Sequence, residues 1–123
     1  MGMARLLIVD DEPLVAELLL TWLADLECEV AGPADGVESA LRLLSEGQAV
    51  DGAILDVTLA DGDSYPIADA LRSRGIPFAF ATGHNHAELV ERFDGVLTLP
   101  KPFSFEDVQK TVAHLLAAGA TCH

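Results

Sequence analysis

The chain has 123 residues, half of them apolar, and sets twenty acids against seven Lys and Arg for a formal net charge of -13. That length suits one domain with one core, and that charge repels phosphate backbones and anionic membranes, so direct nucleic-acid or membrane binding is not expected. No apolar run is long enough for a signal sequence or a membrane span, so the chain reads as cytoplasmic, and Cys28 and Cys122, without CxxC or metal-finger spacing, read as free thiols.

The elements alternate along the chain. Leu6-Leu7-Ile8-Val9 is a buried-strand run that ends in Asp10-Asp11-Glu12. Pro13 suits a first helical position, with Asp11 or Glu12 near the cap. Leu14, Val15, Leu18, Leu19, Trp22 and Leu23 then recur at three-to-four spacing, which predicts a helix with those residues on its core face. Glu29 to Gly32 reads as a short strand. Asp35, with Glu38 three residues on, opens a second helix whose apolar face is Val37, Ala40, Leu41 and Leu44 and which Gly47 ends.

Ala53-Ile54-Leu55-Asp56-Val57 is the central strand, an apolar run with a carboxylate inside it that stops at the loop Thr58-Leu59-Ala60-Asp61-Gly62. A third helix begins near Tyr65-Pro66, carries Ile67, Ala68 and Leu71, and stops at Gly75. Ile76 to Ala81 is a strand that ends at Thr82-Gly83. Asn85 and Glu88 start a short fourth helix with Leu89, Val90 and Phe93 as its apolar face. Val96, Leu97 and Leu99 make a fifth strand, closed by Pro100-Lys101-Pro102. Ser104 with Asp107 caps a last helix bearing Val108, Val112, Leu115 and Leu116, which is expected to fray after Ala117. Strands alternating with helices argue for an α/β fold with a parallel sheet, right-handed crossovers and helices on both faces. Residues 1–123 read as a single domain with no linker, repeat or output domain.

The chemistry collects at strand ends. An ionised Asp within an apolar strand needs partners, and in an open α/β sheet the carboxyl ends of neighbouring strands share one crevice. Asp10, Asp11, Asp56, Thr82 and Lys101 all fall there. Asp56 can serve as a nucleophile that forms an acyl phosphate, and Asp10 or Asp11 can hold a hard divalent ion such as Mg2+ beside it. Thr82 can donate its hydroxyl to one phosphoryl oxygen and Lys101 can pair with another. Each residue alone has an ordinary reading, as a helix cap, a turn former or a surface charge. Their joint placement favours phosphoryl transfer. His84, two residues after Thr82, reads as a solvent-facing loop histidine.

These residues resemble a response-regulator receiver domain of two-component signalling. The motifs are Val9-Asp10-Asp11-Glu12, Leu55-Asp56, Ala81-Thr82-Gly83 and Lys101-Pro102-Phe103, and the likeness covers essentially the whole chain. The resemblance implies a flavodoxin-like, doubly wound five-stranded parallel sheet of order 2-1-3-4-5, and phosphorylation of Asp56 by a sensor histidine kinase or phosphotransfer protein. It implies Mg2+ held by Asp11, Asp56 and the Thr58 backbone carbonyl, with Asp10 supporting through water, and a cis Lys101-Pro102 bond. It also implies a signalling module rather than an enzyme, with slow self-dephosphorylation as its only turnover. The module would act as a phosphorelay intermediate, a phosphate sink or a modulator of a kinase.

Thr98 stands where typical receivers carry a switch Tyr or Phe three residues before the lysine. Phe80-Ala81-Thr82-Gly83 is similar to the FAT-GUY subgroup, which also lacks that aromatic and is linked to HWE-class kinases and general stress signalling, although His84 and Asn85 depart from its pattern. With no aromatic at residue 98, the response to phosphorylation is expected to stay local to the loops after Asp56 and Thr82. Two other classes fit the residues less well. A haloacid-dehalogenase-type phosphatase wants its nucleophile after the first strand with a second acid two residues on, which Asp10-Asp11-Glu12-Pro13 does not supply. A flavodoxin wants a hydroxyl- and glycine-rich anion-binding first loop rather than three acids.

Overall fold

The computed structural model describes residues 3–47, 49–83, 93 and 96–121, with side chains to residue 117. Strand β1 (Arg5–Val9) leads into helix α1 (Pro13–Asp25), then β2 (Glu29–Ala34), α2 (Val37–Ser45) and β3 (Gly52–Asp56). A two-stranded hairpin, β4 (Thr58–Leu59) and β5 (Gly62–Asp63), precedes α3 (Tyr65–Ser73), β6 (Phe78–Thr82), β7 (Leu97–Pro100) and the last helix α4 (Phe105–Thr121). The main sheet has five strands in the order β2-β1-β3-β6-β7, every adjacent pair parallel. Counted without the hairpin, that is the expected 2-1-3-4-5 flavodoxin-like order.

The alternation of side chains along each strand divides the core in two. Leu7, Val9, Ala53, Leu55 and Phe80 face one side and pack with Ala40 and Leu44 of α2 and Ile67, Ala68 and Leu71 of α3. Leu6, Ile8, Ile54, Ala79 and Ala81 face the other and pack with Leu19 and Leu23 of α1 and Val108, Val112 and Leu115 of α4. Helices therefore cover both faces, and β3, buried at every residue, lies at the centre of the sheet. Each fully buried large side chain, such as Ile54, Leu55 or Phe80, contributes roughly 1.5–3 kcal/mol by leaving water.

Several expectations are corrected. Leu14 and Leu18 are exposed, at 81% and 41%, so the core face of α1 is Ala16, Leu19 and Leu23, with Val15 and Trp22 partly buried beside it. Strand β2 runs past Gly32 to Ala34 through a cis Gly32-Pro33 bond. Gly32 has φ +94, and a Cβ there would lie 2.6 Å from the Ala34 nitrogen, so the residue must be glycine. Helix α2 starts at Val37 after an extended Gly36, and Asp35 accepts a hydrogen bond from the Ser39 hydroxyl rather than capping the helix amides. Strand β6 begins at Phe78, two residues later than the apolar run, and α4 continues to Thr121.

The Ser104–Asp107 cap is present as a reciprocal pair. Asp107 N–H donates to the Ser104 hydroxyl at 3.2 Å and Ser104 N–H donates to the Asp107 carboxylate at 2.9 Å. The short helix expected from Asn85 lies outside the described residues, as do His84 and Cys122. Phe93 is buried in an aromatic group with Tyr65, Phe78 and Phe80. Cys28 is a buried free thiol. Among the described residues no helix is long and apolar enough to cross a membrane.

Candidate functional site

The parallel sheet brings the ends of β1, β3, β6 and β7 to one edge. Register makes this specific: Val9 pairs with Leu55, Asp56 with Ala81, and Thr82 with Pro100, so the residues that follow each strand meet over the same crevice. Asp10 follows β1, Asp56 ends β3, Thr82 ends β6 and Lys101 follows β7. Asp10, Asp56 and Thr82 are buried, and Lys101 is half-buried.

Lys101 is the centre of charge. Its ammonium lies 3.3 Å from Asp56 Oδ2, 3.6 Å from Asp10 Oδ2 and 3.5 Å from Glu12 Oε1. Its backbone is fixed independently, because Lys101 N–H donates to the Thr82 carbonyl at 2.8 Å. The Lys101-Pro102 bond is cis, as the resemblance implied. Asp10 is held in turn by the Glu12 N–H, which donates to Oδ1 at 2.9 Å.

Burial dominates the electrostatics. Loss of water raises the Asp56 carboxyl above its ordinary range, and the Lys101 charge offsets only part of this. Asp10 is raised for the same first reason, against the Glu12 amide and Lys101. Lys101 itself is desolvated, which disfavours its charge, but Asp10, Asp56 and Glu12 together outweigh that and raise its pKa, so it stays cationic at neutral pH.

The acids fit a hard divalent ion. Asp10, Asp11 and Asp56 each offer a carboxylate oxygen, and these atoms lie within 4.8 Å of one another. Oxygen donors carrying three negative charges against one ammonium leave net negative charge for a dication to neutralise. Thr58, the other residue expected at the ion, opens the β4–β5 hairpin two residues after Asp56 and pairs with Asp63. Thus Asp10, Asp11, Asp56, Thr82 and Lys101 come together, with Thr58 on the adjoining loop.

Sequence reasoning missed the tie between Glu12 and Lys101. An acid at a helix start reads as a cap, and only the fold shows the Glu12 carboxylate reaching across to the lysine. Thr98 is exposed on the edge strand β7, opposite Phe80 in register. An apolar groove of about 460 Å³ opens beside the lysine, lined by Glu12, Val15, Leu18, Gly83, Pro102 and Phe103.

The response regulator receiver domain family matches residues 6–113. The chain is 42% identical to SdrG from Sphingomonas melonis Fr1, whose solution structure superposes with a TM-score of 0.81 over 94% of this chain and 98% of that one. SdrG from Pseudomonas melonis Fr1 in its BeF3-activated conformation is similar at 41% identity and a TM-score of 0.79, with the same shares covered. The Phyllosphere-induced regulator PhyR of Methylorubrum extorquens is 30% identical over 115 residues, which are 91% of this chain but 43% of PhyR, so the chain spans less than half of that relative. With a family match over most of its length and the acidic crevice at its sheet edge, the chain belongs to the response regulator receiver domains of two-component signalling.

Proposed function

We propose that the domain accepts a phosphoryl group on Asp56 from a histidine kinase or phosphotransfer protein, in a Mg2+-dependent reaction, and signals through protein contacts that depend on that group. The observation that carries this reading is the Lys101 ammonium, 3.3 Å from Asp56 and 3.6 Å from Asp10, with three acid oxygens clustered beside it. An Asp56 oxygen attacks phosphorus, the phosphorus–nitrogen bond of the donor phosphohistidine breaks, and its electron pair returns to the imidazole. Lys101 pairs with one oxygen of the new acyl phosphate, and the Thr82 hydroxyl donates to another. Asp11, Asp56 and the Thr58 carbonyl would hold Mg2+, with Asp10 supporting through water, and the ion would supply charge neutralisation between the anionic donor and the anionic acceptor.

The apolar groove beside Lys101, with exposed Leu18 in its lining and exposed Leu14 one helical turn earlier on α1, suits the apolar face of the histidine-bearing partner. Similarity to SdrG, solved in a BeF3-activated conformation, supports the same chemistry here, since that fluoride mimics a phosphoryl group. The run Phe80-Ala81-Thr82-Gly83, similar to the FAT-GUY subgroup, favours a kinase of the HWE class. We read the chain as a signalling domain whose only turnover is slow hydrolysis of the acyl phosphate.

Intact-mass spectrometry after incubation with acetyl phosphate and Mg2+ tests this. One added phosphoryl group is expected, absent without Mg2+ and absent in Asp56→Asn. An Asp56→Asn protein that still gains the group would remove Asp56 as the acceptor. A parent protein that takes no group from acetyl phosphate or from a cognate kinase would overturn the phosphoacceptor reading.

A further inference from the structure

The hairpin that follows the phosphoacceptor ends on an acid whose partners lie on another helix. Strands β4 and β5 pair Thr58 with Asp63 and Leu59 with Gly62, which leaves Ala60 and Asp61 at the tip. Asp61 accepts a hydrogen bond from Val37 N–H at 2.9 Å and from Glu38 N–H at 3.4 Å, the first amides of α2. Helix α2 has no cap from its own N-cap residue, Gly36. The orphan amides at its start are met instead from 23 and 24 positions away in sequence.

The contact is shaped on both sides. Gly36 has an extended backbone that any residue adopts, yet a Cβ there would stand 2.9 Å from both carboxylate oxygens of Asp61. A side chain here would push the carboxylate off the amides, so glycine serves the close approach rather than the conformation. Hydrogen bonding from the Val37 amide holds the Asp61 carboxyl below the usual range. The other end of α2 is tied to the same half of the chain, because the Arg74 guanidinium donates to the Leu44 carbonyl at 2.7 Å.

The base of the hairpin is the phosphoacceptor loop. Val57 N–H donates to the Ala81 carbonyl at 3.3 Å and Ser64 N–H donates to the Val57 carbonyl at 2.9 Å, so the residue next to Asp56 is bonded to both β6 and the far side of the hairpin. Buried Leu59 anchors one arm in the core. The tip is exposed, and among its bonds those to α2 are what hold it from the other side.

We propose that Asp61 is a positioning residue for the phosphoacceptor site. By capping α2 it pins the hairpin tip and thereby fixes the loop that presents Val57 and Thr58 beside Asp56, and it makes the start of α2 a reporter of that loop's state. Its second consequence, an effect on Mg2+ and phosphoryl acceptance, rests on the function proposed above.

Hydrogen exchange of the metal-free protein separates the two claims. In Asp61→Ala, protection at the Val57 and Ser64 amides should fall by roughly fivefold to tenfold, the size expected when a cap is lost. A purely local cap would change exchange only at Val37, Glu38 and their neighbours in α2. Gly36→Ala should reproduce the loss while leaving the carboxylate in the chain, the double variant should be no worse than either single one, and Asp61→Asn, which keeps an acceptor oxygen, should recover part of it. If Val57 and Ser64 keep their protection while α2 loosens, the positioning role is overturned, whatever the protein does with phosphate.

Where the parent accepts a phosphoryl group, Asp61→Ala and Gly36→Ala should slow acceptance from acetyl phosphate and weaken Mg2+ binding by a similar factor. Altered exchange in a chain whose parent takes neither Mg2+ nor phosphate would uphold the coupling and sink the site reading. A phosphorylated parent with unmoved Val57 and Ser64 exchange would do the reverse.

Discussion

Lys101 satisfies three carboxylates at once, and none of them completely. At 3.3–3.6 Å from Asp56, Glu12 and Asp10 it balances one charge, while burial still raises both Asp10 and Asp56. A carboxyl whose folded pKa lies above its ordinary 3.8 binds its proton more tightly in the folded chain. Its ionised form therefore weakens the fold at neutral pH, and the penalty fades as pH falls through the raised value and is gone below about 3.8. Asp56→Asn should accordingly melt a few degrees above the parent at pH 7, with the gap closing toward pH 3.8. A gap that persists unchanged in acid would show that packing, not charge, sets the difference. Asp61 and Asp107, held low first by the Val37 and Ser104 amides, have the opposite sign: the stability they lend is present above 3.8 and is lost as pH falls through their depressed values. At this scale the site was legible because acids, a threonine and a lysine each ended an apolar run. Glu12 was not, because an acid at a helix start has an ordinary use of its own.

Helix α1 shows where element-scale reading stops. Six apolar residues at helical spacing identified the helix, yet they span more of its circumference than the sheet covers, and periodicity does not say which edge is left over. The fold leaves Leu14 and Leu18 in solvent, and Leu18 lines the groove with Gly83, Pro102 and Phe103. Removing exposed side chains costs the fold little, so Leu14→Ala with Leu18→Ala should shift the melting temperature only slightly. The double variant should accept phosphate from acetyl phosphate at the parent rate and from a cognate phosphohistidine donor at least tenfold more slowly, a loss of about 1.4 kcal/mol in the encounter. Equal rates with the protein donor would place its docking surface elsewhere. The α2 cap was illegible for a related reason. Asp35 and Glu38 carry a start signal in sequence, but the carboxylate that meets the α2 amides comes from Asp61, and only the crossover of the chain brings it there. The Ser104–Asp107 box was readable because both partners lie within one turn.

At the scale of the molecule, alternating elements predict a parallel sheet but leave its strand order open; the resemblance implied that order, and it puts four strand ends beside one another. The same chain carries a net charge of -13, so two different effects of salt are superimposed on its stability. Diffuse repulsion among surface acids is screened by any electrolyte, since at about 0.15 M ionic strength the screening length is only ~8 Å. Mg2+ binding at the acidic crevice, as proposed above, would add a separate, ion-specific term that grows as RT ln(1 + [L]/Kd). Melting the protein in NaCl and in MgCl2 at matched ionic strength isolates the second term. Stability should rise in both, with an excess in MgCl2 that reaches about 2.7 kcal/mol once Mg2+ exceeds its dissociation constant a hundredfold. Asp11→Asn should remove most of that excess and leave the NaCl response unchanged, because one surface charge in twenty acids barely alters the diffuse field. An excess that survives in Asp11→Asn and in Asp56→Asn would mean that Mg2+ acts on the acidic surface as a whole, and the crevice would lose its claim to the ion.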